Sequence, residues 1–474
     1  MSVVVPITSS KPDPEGRELP ARAVYVQTFG CQMNEYDTDR IYQVLAPYNY
    51  QRTDDPKDAN LILLNTCSVR EKGEHKMLSE LGRLAPLKEY NDDLVLGVAG
   101  CVAQQEGANL LKKVPYLDLV LGPDNIPELP ELLDRVRGSE ARVAQTEFYK
   151  RKAYEFIEAQ PGEASPPKVS EFVTIMKGCD KVCSFCIVPF TRGREVSKPA
   201  DMVVREVERL VAHGTREVTL LGQNVNSYGK DRDRAPHFAE LLRRVDAVEG
   251  LERLRFTTSH PMDCIDDLIA CFGDLHSLCE YFHLPVQSGS DAVLEAMRRP
   301  YTVEAYLERV DQLRAQCPTI ALSTDIIVGF PGETDEDFEA TMALLAKVRF
   351  DSIFAFKYSE RPGTRAAKMV DDVPTPVKKA RLKRVLDLQH QITEERMAAY
   401  HGQTLEVLIE GPSRSTNKGL VDEWQMMGRT RTNVIANVPI PAGDFWTQRW
   451  TGRLATITVE EVKAHSLYGR LVTS

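Results

Sequence analysis

The pattern of apolar and polar positions returns three times in the first part of the chain. VYVQTFGC ends at Cys31, LILLNTCS carries Cys67 and LVLGVAGC ends at Cys101, at separations of 36 and 34 residues. Each is an apolar, strand-like run. Between them YDTDRIYQVLAPY and HKMLSELGRLAPL read as helices. Strands alternating with helices predict an α/β fold with an open parallel sheet, whose sites lie in the crevice beyond the strands' carboxyl ends. The three thiols are therefore expected on one edge, with Gly30 and Gly100 permitting close backbone approach.

Residues 151–168 turn polar and rich in Pro, Gly and Ser (EAQPGEASPPK), which predicts a linker. Beyond it the runs VTIMKGC, EVTLLGQN, RLRFTTSH, YFHLPVQSG, ALSTDIIVGF and FDSIFAFKYS alternate with amphipathic helices. In ADMVVREVERLVAHG, Met202, Val203, Val207, Leu210 and Val211 form one apolar face. Six strand-helix units are too few for a closed eight-fold barrel, so a partial (β/α)6 barrel with an open side is expected, its site at the strands' carboxyl ends. Chemistry-bearing residues cluster at those ends: Cys179, Cys183 and Cys186 after the first strand, Gln223 and Asn224 after the second, Ser259 and His260 after the third. Gln287 and Ser288 follow the fourth, while Asp325 and the GFPGE turn accompany the fifth. From Tyr400 onward TLEVLIEG, NVIANVP and LATITVEEVKAHSLYGRLV predict a small all-β domain. The expected division is a disordered start at 1–22, domains at 23–150, 169–399 and 400–474, and the linker between the first two.

Length and composition agree with several domains, since 474 residues exceed what one core usually serves. No apolar run approaches the roughly 20 residues of a membrane span, and MSVVVPITSSKPDPEG lacks the order of a secretion signal. A cytoplasmic chain without a membrane partner is expected. Ten cysteines there point to metal or redox chemistry rather than a disulfide framework. The net charge of -10 argues against a general polyanion binder, although a basic footprint can be local.

GCDKVCSFCIVPFTRGRE, beginning at Gly178, carries the sharpest chemistry. A structural zinc site normally takes four ligands, and three thiols leave a metal open. The spacing CxxxCxxC resembles the motif of radical S-adenosylmethionine enzymes, in which three thiolates hold a 4Fe-4S cluster and the fourth iron is left for S-adenosylmethionine. From Ala23 to the C-terminus the chain resembles the methylthiotransferase family of that superfamily, and NTCSVREKGEHKMLSELGRL and GCDKVCSFCIVPFTRGRE resemble the branch that modifies tRNA.

The resemblance implies two 4Fe-4S clusters, one on Cys179, Cys183 and Cys186 and an auxiliary one on Cys31, Cys67 and Cys101. It implies conversion of N6-(dimethylallyl)adenosine next to the anticodon to its 2-methylthio derivative. One S-adenosylmethionine yields the radical that attacks an adenine C–H, the auxiliary cluster presents sulfur, and a second S-adenosylmethionine supplies the methyl group. Gln223, Gln287, Ser288 and Asp325 are expected around the methionine and ribose parts, with the Gly329 to Glu333 turn near the adenine. Arg192 and Arg194 are candidates for pairing with a carboxylate or phosphate. An external electron donor and an iron-sulfur or sulfur delivery protein are the expected partners besides tRNA, and a monomer is expected.

The resemblance also makes the C-terminal part a TRAM domain, an OB-like barrel that holds RNA. Between Tyr400 and Ser474 eight Lys/Arg face seven Asp/Glu, so the remainder carries -11. Just before it, Lys378, Lys379, Arg381, Lys383 and Arg384 are expected on a helix, either touching tRNA phosphates or forming a solvated face. Trp424, Phe445, Trp446 and Trp450 are candidates for base stacking or for core. Cys264, Cys271, Cys279 and Cys317 match no ligand position. Three alternatives stand beside this reading: a relative acting on threonylcarbamoyladenosine in tRNA, one acting on a ribosomal-protein aspartate, and a non-catalytic iron-sulfur RNA-binding protein.

Overall fold

The computed structural model describes residues 20–68, 72–139, 142–149, 156, 168–232, 236–417, 419, 423–441 and 443–472. The expected disordered start, apart from its last three residues, almost all of the expected linker and the VRE of NTCSVREKGEHK lie outside the described residues. The first strands are β1 (Arg22–Thr28), β2 (Tyr50–Arg52), β3 (Leu61–Thr66), β4 (Val95–Gly100), β5 (Leu119–Leu121) and β6 (Val143–Gln145). They form one sheet in the order β2-β1-β3-β4-β5-β6, and every pairing is parallel. Strand β3 is buried at all six positions. Leu61 and Leu63 pack into one core and Ile62 and Leu64 into another, so helices cover both faces. Chain order reverses between β1 and β3, which is where a doubly wound sheet opens its crevice.

The second part contributes six longer-range strands, β7 (Ser170–Thr174), β10 (Glu217–Leu221), β11 (Arg253–Phe256), β12 (Tyr281–His283), β13 (Ala321–Val328) and β14 (Ser352–Lys357), with a small ribbon of β8 (Met176–Lys177) and β9 (Val196–Ser197). They form two parallel sheets, β11-β10-β7 and β12-β13-β14. The sheets are joined by the parallel bridge Leu254 to Leu278. This is the expected open barrel, with β7 and β14 flanking the gap. On the helix Ala200–Ala212, Val203, Val207 and Leu210 enter the core as the periodicity predicts, and Met202 stays half-buried. Glu206 is also buried there, paired with Lys198. Apolar periodicity cannot reveal that ion pair.

The last part is a closed barrel in the order β15-β16-β17-β19-β18, formed by β15 (Thr404–Pro412), β16 (Gln425–Thr430), β17 (Ile435–Pro439), β18 (Leu454–Val462) and β19 (Ser466–Leu471). Strand β16, QMMGRT, is absent from the apolar runs because it offers one β-branched residue beside two methionines and a glycine. Trp424, Trp446 and Trp450 pack against the barrel core, while Phe445 is exposed. The barrel docks beneath the central one, at the strands' amino ends. Arg255 donates to the Thr430 and Arg431 carbonyls at 2.8 Å each, and Arg431 meets Glu280 at 2.8 Å.

The basic run lies on the 24-residue helix Thr375–Ala398. Lys378 and Arg381 are committed to the interior, which takes these two out of the expected row of phosphate contacts, while Lys379, Lys383 and Arg384 stay exposed. Lys378 is buried, 2.6 Å from Asp371. Arg381 is buried between Glu333 at 2.6 Å and Asp335 at 2.7 Å, Lys383 meets Asp387 at 2.5 Å, and Arg384 holds Glu339 at 2.6 Å. Lys379 is exposed and lacks a carboxylate partner among the described residues. Glu333 is 1% exposed on its side chain, so Arg381→Ala strands a buried carboxylate. The expected cost is about 3 kcal/mol, read as a lower urea midpoint.

Candidate active site

Cys31, Cys67 and Cys101 follow the carboxyl ends of β1, β3 and β4, three neighbours in the sheet. Cys31 caps the helix Gln32–Leu45, and Cys101 opens the helix Cys101–Glu106. The approach is close. A Cβ on Gly30 would lie 2.4 Å from Cys67 Cβ, and one on Gly100 2.4 Å from the Thr66 carbonyl, both at positive φ. Beneath the thiols Asn34 donates to Asn65 at 3.2 Å and to the Thr66 carbonyl at 3.1 Å, while Asn65 donates to the Asn34 carbonyl at 2.7 Å. This buried amide pair ties the helix Gln32–Leu45 to the end of β3, and Cys31 Sγ lies 3.4 Å from Asn34 Oδ1.

Arg192 enters this site from the central barrel, six residues after Cys186. Its Nε donates to Cys101 Sγ at 3.2 Å, and its other nitrogens hold Asp37 at 3.2 and 2.6 Å. It therefore pairs with a carboxylate, but in the interior. Arg194, in contrast, makes a surface pair with Asp180 at 3.1 Å. The Cys67 side chain, helped by the Arg192 charge, brings the Cys31 thiol down to about 6 against burial. Burial pushes the Cys101 thiol up.

The second set lies on the loop after β8. Cys186 N–H donates to the Cys183 carbonyl at 3.2 Å, a tight turn, and Cys179 N–H donates to the Gly193 carbonyl at 3.2 Å. Lys181, inside the motif, ties this loop to buried Asp263 at 2.8 Å; Lys230 reaches the same carboxylate at 2.6 Å. Burial pushes Cys179 up to about 12 and Cys186 to about 11, so without a cation these thiols stay protonated. A soft metal centre reverses that preference, because it binds and favours the thiolate. None of the ten cysteines is in a disulfide.

The strand ends around this loop carry unanswered polar atoms. Gln223 Oε1 accepts from Gly178 N–H, while its buried Nε2 has no partner. Asn224 Oδ1, Ser259 Oγ, His260 Nε2 and Glu195 Oε1 are likewise buried without partners. Burial raises Glu195 to about 7, and burial lowers His260 to about 2, which keeps its ring neutral. Donors and acceptors held this way suit a ligand with an ammonium and a carboxylate group, so the residues fit S-adenosylmethionine beside a cluster. Glu195 was not singled out from sequence; its position in TRGRE, just after the motif, was the available signal.

The other expected contacts divide. Asp325 is half-exposed on the lumen, 3.6 Å from His283 Nε2. Gln287 adopts φ 74° and exchanges backbone hydrogen bonds with Asp325 and Ile327 at 2.9 Å each. Ser288 is fully buried, its hydroxyl 3.3 Å from Thr341 on the helix Asp335–Val348, so it is engaged by the outer layer. The Gly329 to Glu333 turn is locked internally, as Glu333 accepts from Gly329 N–H at 2.6 Å and pairs with Arg381. The remaining cysteines, Cys264, Cys271, Cys279 and Cys317, are buried, and Cys264, Cys271 and Cys317 belong to the central hydrophobic core.

Family models match in three places: the uncharacterized protein family UPF0004 over residues 23–122, the radical SAM superfamily over 173–345 and the TRAM domain over 398–472. A tRNA-2-methylthio-N(6)-dimethylallyladenosine synthase of Anaeromyxobacter dehalogenans is 51% identical over 92% of this chain and 94% of its own. One from Myxococcus xanthus is 51% identical over 94% of each chain, and one from Syntrophotalea carbinolica 49% identical over 88% and 93%. Among solved structures, the radical S-adenosylmethionine methyltransferase TsrM from Kitasatospora setae shares the fold, with a TM-score of 0.54 at 16% identity over 73% of this chain and 77% of that one. With matches of this extent on both sides, the chain belongs to the tRNA-2-methylthio-N(6)-dimethylallyladenosine synthase family of radical S-adenosylmethionine proteins.

Proposed function

We infer that the protein is a tRNA methylthiotransferase that converts N6-(dimethylallyl)adenosine next to the anticodon to its 2-methylthio form. The observation that carries this reading is the near-complete match, at about half identity, to relatives bearing that name. Cys31, Cys67 and Cys101 would hold one 4Fe-4S cluster and Cys179, Cys183 and Cys186 the other. When bound, these clusters and S-adenosylmethionine supply reductive cleavage, hydrogen abstraction from the base, sulfur and a methyl group.

The chain's own residues bind and orient. Gln223, Asn224, Ser259 and Glu195 offer buried polar atoms to the amino-acid end of S-adenosylmethionine. Asp325, at the half-exposed lumen wall, suits its ribose hydroxyls. Residues 23–150 carry the first thiol set, residues 169–399 carry the second, and residues 400–474 hold the anticodon arm. Electrons come from an external donor, and the site of work is the cytoplasm; among the described residues no helix is long and apolar enough to cross a membrane. Mass spectrometry of nucleosides after anaerobic incubation with tRNA carrying the prenylated adenosine tests the reading, and absence of the methylthio nucleoside with both clusters loaded overturns it.

The open edge of the barrel supports a prenylated substrate over one bearing threonylcarbamoyl. On β14, Phe354 and Phe356 are 49% and 41% exposed, on the face that carries Asp325 and Ile327 of β13. Ile327 and Phe185, the latter between Cys183 and Cys186, pack against the same buried cluster of Val293, Met297, Phe330 and Tyr358. An aromatic shelf beside the radical loop suits a five-carbon apolar group better than a carboxylate. Phe354→Ala is expected to weaken binding of prenylated tRNA about tenfold while leaving unprenylated tRNA unchanged, measured by filter binding.

A further inference from the structure

Each thiol set has one buried arginine on one sulfur. Arg192 Nε lies 3.2 Å from Cys101 Sγ, and Arg299 Nη1 lies 3.6 Å from Cys183 Sγ. Both residues are 6% exposed. Their charge compensation differs. Arg192 is held by both oxygens of buried Asp37, so the pair is neutral. The nearby Lys177 is likewise matched by Asp124. Arg299 is held by neutral groups, donating to Tyr301 OH at 2.7 Å and to the Pro285 carbonyl at 2.5 Å. Burial pushes the Tyr301 phenol up to about 12, so it remains neutral. No carboxylate pairs with Arg299 among the described residues. On the same side Lys181 and Lys230 share one carboxylate, Asp263.

A cluster gains negative charge on reduction. A fixed positive charge nearby stabilises the reduced form, as do hydrogen bonds to its sulfurs, and the effect is large where water is excluded. Both sites receive an N–H···S contact, but only the barrel site keeps an uncompensated guanidinium. We propose that Arg192 and Arg299 are positioning residues for the two thiol sets, and that Asp37, by neutralising Arg192 alone, makes the barrel cluster the more easily reduced of the two. With both sets loaded, one electron from an external one-electron donor would then favour the set held by Cys179, Cys183 and Cys186. Arg192 has a second effect: because Asp37 and Cys101 lie on helices of the N-terminal domain while Arg192 lies beyond the CxxxCxxC loop, the same guanidinium fixes one thiol site against the other.

This inference rests on both sets holding clusters, and the test separates the two ideas. Full-length protein reconstituted anaerobically with iron and sulfide is poised at a series of potentials and read by electron paramagnetic resonance. Two signals, one of which changes on adding S-adenosylmethionine, are required by the cluster assignment; a single signal defeats that assignment. The midpoints then decide the proposal. Asp37→Asn uncovers the Arg192 charge and is expected to move the N-terminal midpoint to a more positive value, leaving the barrel midpoint in place. Arg299→Gln is expected to move the barrel midpoint to a more negative value, and Arg299→Lys, which keeps the charge, to move it less. If Arg299→Gln fails to retain iron, Asp37→Asn decides alone. An unchanged or lowered N-terminal midpoint in Asp37→Asn overturns the proposal.

Discussion

Cys183→Ala is expected to abolish formation of 5'-deoxyadenosine altogether. Cys183 and Cys186 are set by one tight turn, with Cys186 N–H on the Cys183 carbonyl, and the site has three thiols and no spare. Loss of one sulfur leaves two ligands for a cluster that needs three from the protein, as the CxxxCxxC resemblance implies. The variant also frees Arg299 from its sulfur contact. The N-terminal thiols sit on a different sheet, so the variant should keep the signal of that cluster and about half of the iron. Measurement of deoxyadenosine by chromatography with dithionite as reductant decides the matter; residual cleavage well above background means that Cys183 is not a ligand.

Cys67→Ala is expected to split the activity rather than remove it. Reductive cleavage should persist, because the barrel loop is anchored by Lys181 and Asp263, within its own domain. Methylthio nucleoside should fall below detection, since Cys67 is buried at the centre of its set, between strand ends that already touch through Gly30. Iron should again drop to about half, and the retained signal should be the one sensitive to S-adenosylmethionine. A variant that makes product with full iron removes Cys67 from sulfur delivery. The two cysteine variants are thus opposites, and crossing deoxyadenosine yield against methylthio yield assigns each thiol set its own half of the reaction.

Much of the architecture was legible because chemistry in this protein sits where strands end. The three apolar runs that finish in Cys31, Cys67 and Cys101 are adjacent strands, and six further runs became the open barrel. Strand β16 escaped, as its burial alternates through Met426, Gly428 and Thr430 rather than through β-branched residues. What the sequence concealed were partners joined only by folding. Arg192 and Asp37 lie 155 residues apart, and nothing local to TRGRE says which carboxylate it meets. Arg299 stands in a run, MRRPY, with no motif of its own. The pairing on the basic helix was hidden for the complementary reason, since a count of cations does not register carboxylates brought from Glu333, Glu339 and Asp371. Ser288 shows the limit of position as evidence: it is at a strand end, yet the close packing of Gly289 on Thr341 engages its hydroxyl with the outer helix.

The docking of the C-terminal barrel at the amino ends of the central strands has a consequence for how RNA must lie. The thiols and the orphaned polar atoms are at the opposite, carboxyl ends, and β13 alone is eight residues long, about 26 Å when extended. An RNA held at both ends would have to span that length, and the flank between β14 and β7 is where the barrel wall is open. The molecule then acts as a caliper. An isolated nucleoside can touch only one jaw, whereas a stem and its loop bridge both, and the second contact forms at the high local concentration that tethering creates. Selection by reach along the flank would discriminate among adenosines that carry the same modification, without any contact to the sequence around them.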